Sequence, residues 1–297
     1  MIRSHKPERL ALLLVQRGAA LVLFATLLLS GCASPPIAGY DALAKASQDI
    51  QSGSSTAYTN VEQRLRDFAI VTAPNAPLSP DTFTKLSVGK ISFDISPELT
   101  FREQQMGVLV AYTTALQKLA GKDYNKDLDS STKSLAGALA AIAPQAKAIV
   151  DIFATVVDEL AKAAANRERK DALKKVMDRA QPAMEQLATL IASSNEKIAA
   201  YAEIMRDTYV RHANAWRPSY GTLARYEFDQ KAADAIDGYS LISNQLTAVS
   251  NAAKKLPAAH AELRKSLDAP ETPQEAIKDV FAEIQGMRGF YKGLESK

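Results

Sequence analysis

LKKVMDRAQPAMEQLATLIASSNEKIAAYAEIM, residues 173–205, decides the fold. Apolar residues fall at Leu173, Met177, Ala180, Met184, Leu187 and Ile191, alternately four and three apart, and after the polar Ser194 the series resumes at Ile198, Tyr201 and Met205. Such spacing stacks side chains along a single face of an α-helix. The pattern recurs at Tyr239, Ile242, Leu246, Val249, Ala253 and Leu256, at Ile277, Val280, Ile284, Met287, Tyr291 and Leu294, and more briefly at Leu109, Tyr112, Leu116 and Leu119. Repeats near 3.5 residues favour helices packed side by side at shallow angles. The expected fold is all-α: an elongated antiparallel helical bundle with coiled-coil-like heptad packing.

Breakers set the expected corners. Pro74, Pro77 and Pro80 close a first helix over about 40–70, KDYNKDLDSS at 122–131 separates two more, and Pro218 with Gly221 makes a turn. Pro257, Pro270 and Pro273 mark the last ones. Residues 145–216 read as one very long helix or two, kinked at Pro182. One region departs from helical spacing: KLSVGKISFDIS at 85–96 alternates at Leu86, Val88, Ile91, Phe93 and Ile95. We expect an extended segment lying across the bundle, with a small hairpin turning at Gly89 and Lys90 as the alternative.

The start of the chain has another character. Arg3, Lys6, Arg9 and Arg17 precede AALVLFATLLL, an apolar run at 19–29 that is too short to span a bilayer. The earlier run LALLLV at 10–15 is cut off from it by Gln16, Arg17 and Gly18, which weakens the alternative of a retained signal anchor. Leu29, Ser30, Gly31 and Cys32 come next, and Cys32 is the only cysteine of the chain. These four residues resemble the lipobox of bacterial lipoproteins. The resemblance covers roughly the first 35 residues. It implies a diacylglyceryl group on the Cys32 thiol, cleavage before Cys32 and acylation of the new amino terminus. Two or more acyl chains hold a protein stably on a membrane. Ala33 and Ser34 stand where the family's inner-membrane retention signal has aspartate, so the resemblance implies the outer membrane where the cell has two. The expected organisation is a signal peptide at 1–31, a lipidated tether at 32–40 and a helical bundle domain at 41–297.

Leader removal changes the charge. Taking four basic residues from 36 and one acidic residue from 33 leaves 32 of each. A near-neutral mature chain has no broad positive field to attract nucleic acid, and no nucleic-acid partner is expected. Its one thiol, if lipidated, is unavailable for a disulfide.

No familiar reaction motif appears. The mature chain has two histidines, His212 and His260, neither preceded by glutamate at three residues, so the Glu-x-x-His pairs of di-iron bundles are missing. Zincin, Walker, dinucleotide and Gly-x-Ser-x-Gly patterns are missing too. We expect no catalytic residues, no cofactor and no metal; a hydrolase site at His212 or His260 is the remaining enzymatic alternative. Asp123, Asn125, Asp127 and Asp129 imitate half a calcium loop, but Leu128 and Ser134 occupy the glycine and glutamate positions, which leaves a solvated acidic loop. SLAGALAAIAPQAKAIVDIFATVV at 134–157 holds only Lys147 and Asp151 as charges. It reads as bundle core, with a hidden membrane-active hairpin as the alternative. RERKDALKKVMDR at 167–179 mixes both signs and reads as a solvated helix face.

The stretch 201–228 gathers six of the chain's twenty aromatics with Arg206, Arg211, Arg217 and Arg225. Tyr, Trp and Arg anchor interfaces. With a turn at Pro218, the residues Trp216, Arg217, Tyr220, Arg225 and Tyr226 are expected at one tip as a partner-binding cluster; the alternative is that they cap the core of a helical hairpin. The functional expectation is a lipid-anchored interaction or structural module of the cell envelope, on the membrane through Cys32, with an envelope protein as partner. Immunity or inhibitor proteins, assembly factors and spacers all fit that form. A membrane-active, pore-forming-like bundle is the runner-up.

Overall fold

Among the described residues up to 268, six helices and one hairpin follow in chain order: α1 (Ile37–Thr72), β1 (Lys85–Val88), β2 (Ile91–Asp94), α2 (Ile95–Ala120), α3 (Tyr124–Ile142), α4 (Lys147–Ala165), α5 (Arg169–Trp216) and α6 (Thr222–Ser266). A 3₁₀ turn, Arg217–Ser219, joins the last two. The computed structural model describes residues 37–72, 85–88, 91–121, 124–165, 169–268, 278–280 and 282. The leader, Cys32, the prolines at 74, 77, 80, 270 and 273, and the third apolar stripe apart from Val280 lie outside them. The chain divides into two compact units, Met1–Pro35 and Pro36–Lys297; every element above belongs to the second.

The helices form two layers of three, α1–α2–α3 against α6–α5–α4. Gln117 Nε2 donates to Asp41 (2.8 Å) and Ser55 to Glu103 (3.4 Å), which sets α1 and α2 antiparallel. Ser250 donates to the Ala192 carbonyl (3.2 Å) and Arg264 pairs with Asp178 (2.7 Å), which does the same for α5 and α6. Tyr40 reaches Met177 Sδ (3.4 Å) and Tyr58 reaches Asn195 Oδ1 (2.6 Å), both 137 residues on, so α1 runs parallel to α5. The start of α1 therefore lies at the base with the start of α5, and the α5–α6 turn lies at the opposite end, the tip. At about 1.5 Å per residue, the 48 residues of α5 extend roughly 70 Å.

Burial follows the sequence stripes. Every member of the Leu173–Ile191, Tyr239–Leu256 and Leu109–Leu119 series is buried. Beyond Ile191 the inward line of α5 passes through Asn195 rather than Ser194, then Ile198, Ala202, Met205, Tyr209 and Ala213. It takes eleven steps over 40 residues, about 3.6 per step, the period of a straight helix rather than the 3.5 of a supercoil. Two successive four-residue steps at Leu187, Ile191 and Asn195 restore that phase. The heptad spacing expected from the sequence is thus not kept along α5.

Two apolar cores result. The basal one takes α3, α4, α2 from Met106 onward and the basal halves of α1, α5 and α6; the distal one takes Leu99 of α2 with residues of Ala57–Phe68, Ile198–Ala213 and Ala232–Leu246. Between them lies a belt of fully buried amides, Gln105, Asn195 and Gln245. Asn195 Oδ1 accepts from Tyr58, and Gln245 Oε1 accepts from Asn60 Nδ2 (3.4 Å). Both side-chain atoms of Gln105, with Asn195 Nδ2 and Gln245 Nε2, meet no protein partner.

Several expectations need correction. The segment at 85–94 is a hairpin, paired Lys85↔Asp94, Leu86↔Phe93, Ser87↔Ser92 and Val88↔Ile91, and not a single extended strap. A two-residue connection led by glycine suits that pairing. Helix α3 starts at Tyr124, so only 121–123 separate it from α2; Asp127 in its first turn favours the helix dipole. Of the two readings of residues 145–216, one long helix or two, the structure takes the second, α4 and α5. Ile37–Tyr40, expected in the tether, are already helical because Tyr40 is buried against α5. Pro257 marks no turn: it sits inside α6, where buried Leu256, Ala259, His260 and Leu263 outweigh the one lost backbone bond. Helix α5 likewise runs through Pro182.

Candidate docking groove at the bundle tip

Helix α1 is shorter than α5 and α6, and this creates the site. Tyr239 Oη donates to the Arg64 carbonyl (2.9 Å) and Asn60 meets Gln245, so α1 lies antiparallel on α6 and reaches its last turn near Asp234 and Ala235. Past Thr72 the α6 face has no such cover among the described residues. A groove of about 690 Å³ opens there, lined on α1 by Arg64, Asp67, Ile70 and Val71, on α5 by Tyr209 and Trp216, and on α6 by Ala224, Glu227, Phe228 and Lys231, among others.

Its floor and walls differ in order. Tyr209 is buried with its ring 5.8 Å from Tyr239, and burial pushes both hydroxyls up in pKa. Arg64 pairs with Asp67 (2.6 Å) and lies across α6 at Gly238, where a Cβ would stand 2.3 Å from Nε. Tyr220 stacks on Phe228 at 4.8 Å. Along the α6 wall, Glu227, Lys231 and Asp234 are exposed and carry alternating charge at helical spacing.

The five residues expected at the tip are brought to it, but not all into the groove. Trp216 and Tyr220 line it. Arg217 forms a fork with both carboxylate oxygens of Asp229 (2.7 Å each), which lowers the Asp229 pKa, and is thereby engaged in bracing the turn. Arg225 donates to the Tyr220 carbonyl (2.9 Å) and also braces the turn. Tyr226 is exposed and accepts from Gln230 (2.7 Å) beside the groove. The α1 wall was invisible to sequence reasoning, because Arg64 and Asp67 stand about 150 residues from Trp216. The backward extension of the Tyr239 stripe through Ala235, Phe228 and Ala224 was the signal that could have found it.

The other candidates are absorbed by the fold. His260 is fully buried: its Nδ1–H donates to Gln181 Oε1 (2.6 Å) and its Nε2 accepts from Tyr112 (2.7 Å). Gln181 Nε2 passes the chain on to Glu185 (2.8 Å) and the Pro257 carbonyl (3.3 Å). Burial holds the His260 pKa down at about 3, and the ring has no access to a substrate in this conformation. Asp127 and Asp129 lie on α3, paired with Lys118 and Lys133. Among the described residues no group of three acidic, His or Cys side chains is placed to hold a metal. Residues 134–157 form the α3–α4 hairpin, with Leu135, Leu139, Ile149 and Phe153 buried in the basal core. No described helix is long and apolar enough to cross a membrane. On 167–179, Lys174 pairs with Asp268 and Arg179 with Glu159.

Fold and groove together define an all-α helical bundle with an open aromatic seat at one end. No protein-family model, curated protein or solved structure matches the chain.

Proposed function

We propose that this is a lipid-anchored interaction module of the cell envelope, held on its membrane through Cys32 and binding an envelope protein with its tip. One observation carries the reading. All five large apolar side chains left exposed among the described residues, Ile70, Ile204, Trp216, Leu223 and Tyr226, sit beyond the amide belt. Leu223 at 76 % and Tyr226 at 62 % exposure stand three residues apart at the start of α6, and apolar side chains grouped at one end, unlike single scattered ones, support an interaction surface there. The first helix begins at the other end, five residues after Cys32.

Metabolic labelling with a fatty acid tests the anchor: wild type incorporates label and the Cys32→Ala variant does not. Labelled mature Cys32→Ala protein would overturn that half. Crosslinking in native envelopes tests the other half, with a partner captured by wild type and lost from the Trp216→Ala, Arg217→Ala double variant at unchanged helicity. Dye release from vesicles by the purified protein would replace this reading with the membrane-active one.

A further inference from the structure

The geometry points to an amphipathic α-helix as the occupant of the tip groove, one bearing an apolar stripe edged by basic, acidic and basic side chains. This rests on the interaction-module reading and names its partner's chemistry. Three observations carry it.

The first is continuity. Along α6 the face that packs on α1 passes through Leu246, Ile242, Tyr239 and Ala235, all buried. Beyond α1 the same face continues at Phe228 and Ala224, which line the groove, half-buried and exposed. On α5, Tyr209 and Trp216 extend the line of Ala202 and Met205 in the same way. The groove is therefore the seat of a third helix on a two-helix platform, prolonging the place α1 fills below.

The second is charge. Arg64 with Asp67 and Arg217 with Asp229 are spent on each other. Glu227, Lys231 and Asp234 remain on the α6 wall, negative, positive and negative at spacings of four and three. A helix lying alongside complements that row with the reverse order, and its opposite-sign twin meets like charges. The third is size: the opening of about 690 Å³ has room for several side chains of one helix face.

Trp216 is the only tryptophan of the chain and lines the groove, so its fluorescence reports occupancy directly. The probes are two peptides of about 18 residues, each with leucines at three- and four-residue spacing, one edged Lys-Glu-Lys and the other Glu-Lys-Glu. The full-length protein in detergent should give a saturable Trp216 response with about tenfold preference for the Lys-Glu-Lys peptide. The Glu227→Lys, Lys231→Glu, Asp234→Lys variant, whose changed residues are exposed, should invert that preference while its helical circular dichroism stays. Equal response to both peptides, no response, or a preference that survives the charge swap overturns the proposal. So does a peptide-independent Trp216 shift that grows with protein concentration alongside a doubled mass, which would make the occupant a second copy. Lipid labelling at Cys32 is untouched by any of these results, so failure here is separable from failure of the anchor.

Discussion

The same two helices are built to different standards at their two ends. At the base, four other helices pack around α5 and α6, and the polar chain Tyr112, His260, Gln181, Glu185 engages both ring nitrogens of His260 and both side-chain ends of Gln181. Arg264 forks onto Asp178 and also binds Asp268, itself held at a pKa of about 2 by Lys174 and Arg264. Toward the tip the cover given by the described residues falls away: three buried amides keep atoms without a protein partner, α1 ends at Thr72, and aromatic side chains face outward. The base is finished by intramolecular contacts, whereas the tip leaves contacts to be made. On the function proposed above, that contrast separates stability from partner binding along a single hairpin.

Four perturbations, from largest expected effect to smallest, test it. Phe153→Ala empties a fully buried ring site in the basal core and should cost about 3–5 kcal/mol in denaturant unfolding, whereas Phe228→Ala at the groove should cost less than about 1. Comparable losses would erase the distinction. Next, His260→Ala leaves the Tyr112 hydroxyl and Gln181 Oε1 without the partner each has now and should cost about 2–3 kcal/mol.

The same histidine gives a pH signature. Its folded pKa lies at about 3, below the ordinary histidine value of 6.5, so the unfolded chain takes up the proton first as pH falls. Wild-type stability is then complete above 6.5 and declines by up to about 1.4 kcal/mol per unit between 6.5 and 3. Asp178, whose charge opposes the shift, and the uncharged Tyr112 and Gln181 are the groups facing it. The His260→Ala variant should lack this component in a series of unfolding curves; an identical pH slope in both proteins would show that the ring is not buried neutral.

At the belt the sign reverses. Gln105→Leu removes two buried polar atoms that have no protein partner and should stabilise by about 1 kcal/mol; a loss of 2 kcal/mol or more would mean that Gln105 is satisfied by something it holds. Last, the Trp216→Ala, Arg217→Ala pair should leave unfolding within about 1 kcal/mol of wild type, because the Arg217–Asp229 pair is exposed and Trp216 is 38 % exposed.

The helices were legible where burial is one-sided and periodic. Three stripes written in the sequence are three buried faces, and the first helix and the turn at Pro218 stand where the breakers put them. What misled was punctuation. Pro257 marks an end in an isolated helix, but here it lies between buried turns, and Gln181 donates to its carbonyl, so packing overrides propensity. Acidic residues at 123–129 suggested a loop; Asp123 lies outside the described residues, and Asp127 and Asp129 instead stand near the start of α3. Half the groove was legible as an aromatic cluster around Trp216. The other half comes from the end of α1, a junction fixed by relative helix lengths that no local window contains.

The central claim is that the tip, and not the base, meets a partner. A photo-crosslinking residue placed at Tyr220 in living cells, with Lys133 on the exposed face of α3 as its control, tests it directly. A discrete adduct from position 220, absent from position 133 and lost on the Glu227, Lys231, Asp234 charge swap, is the predicted result. Adducts from 133 alone, or the same adducts from both positions, would contradict it.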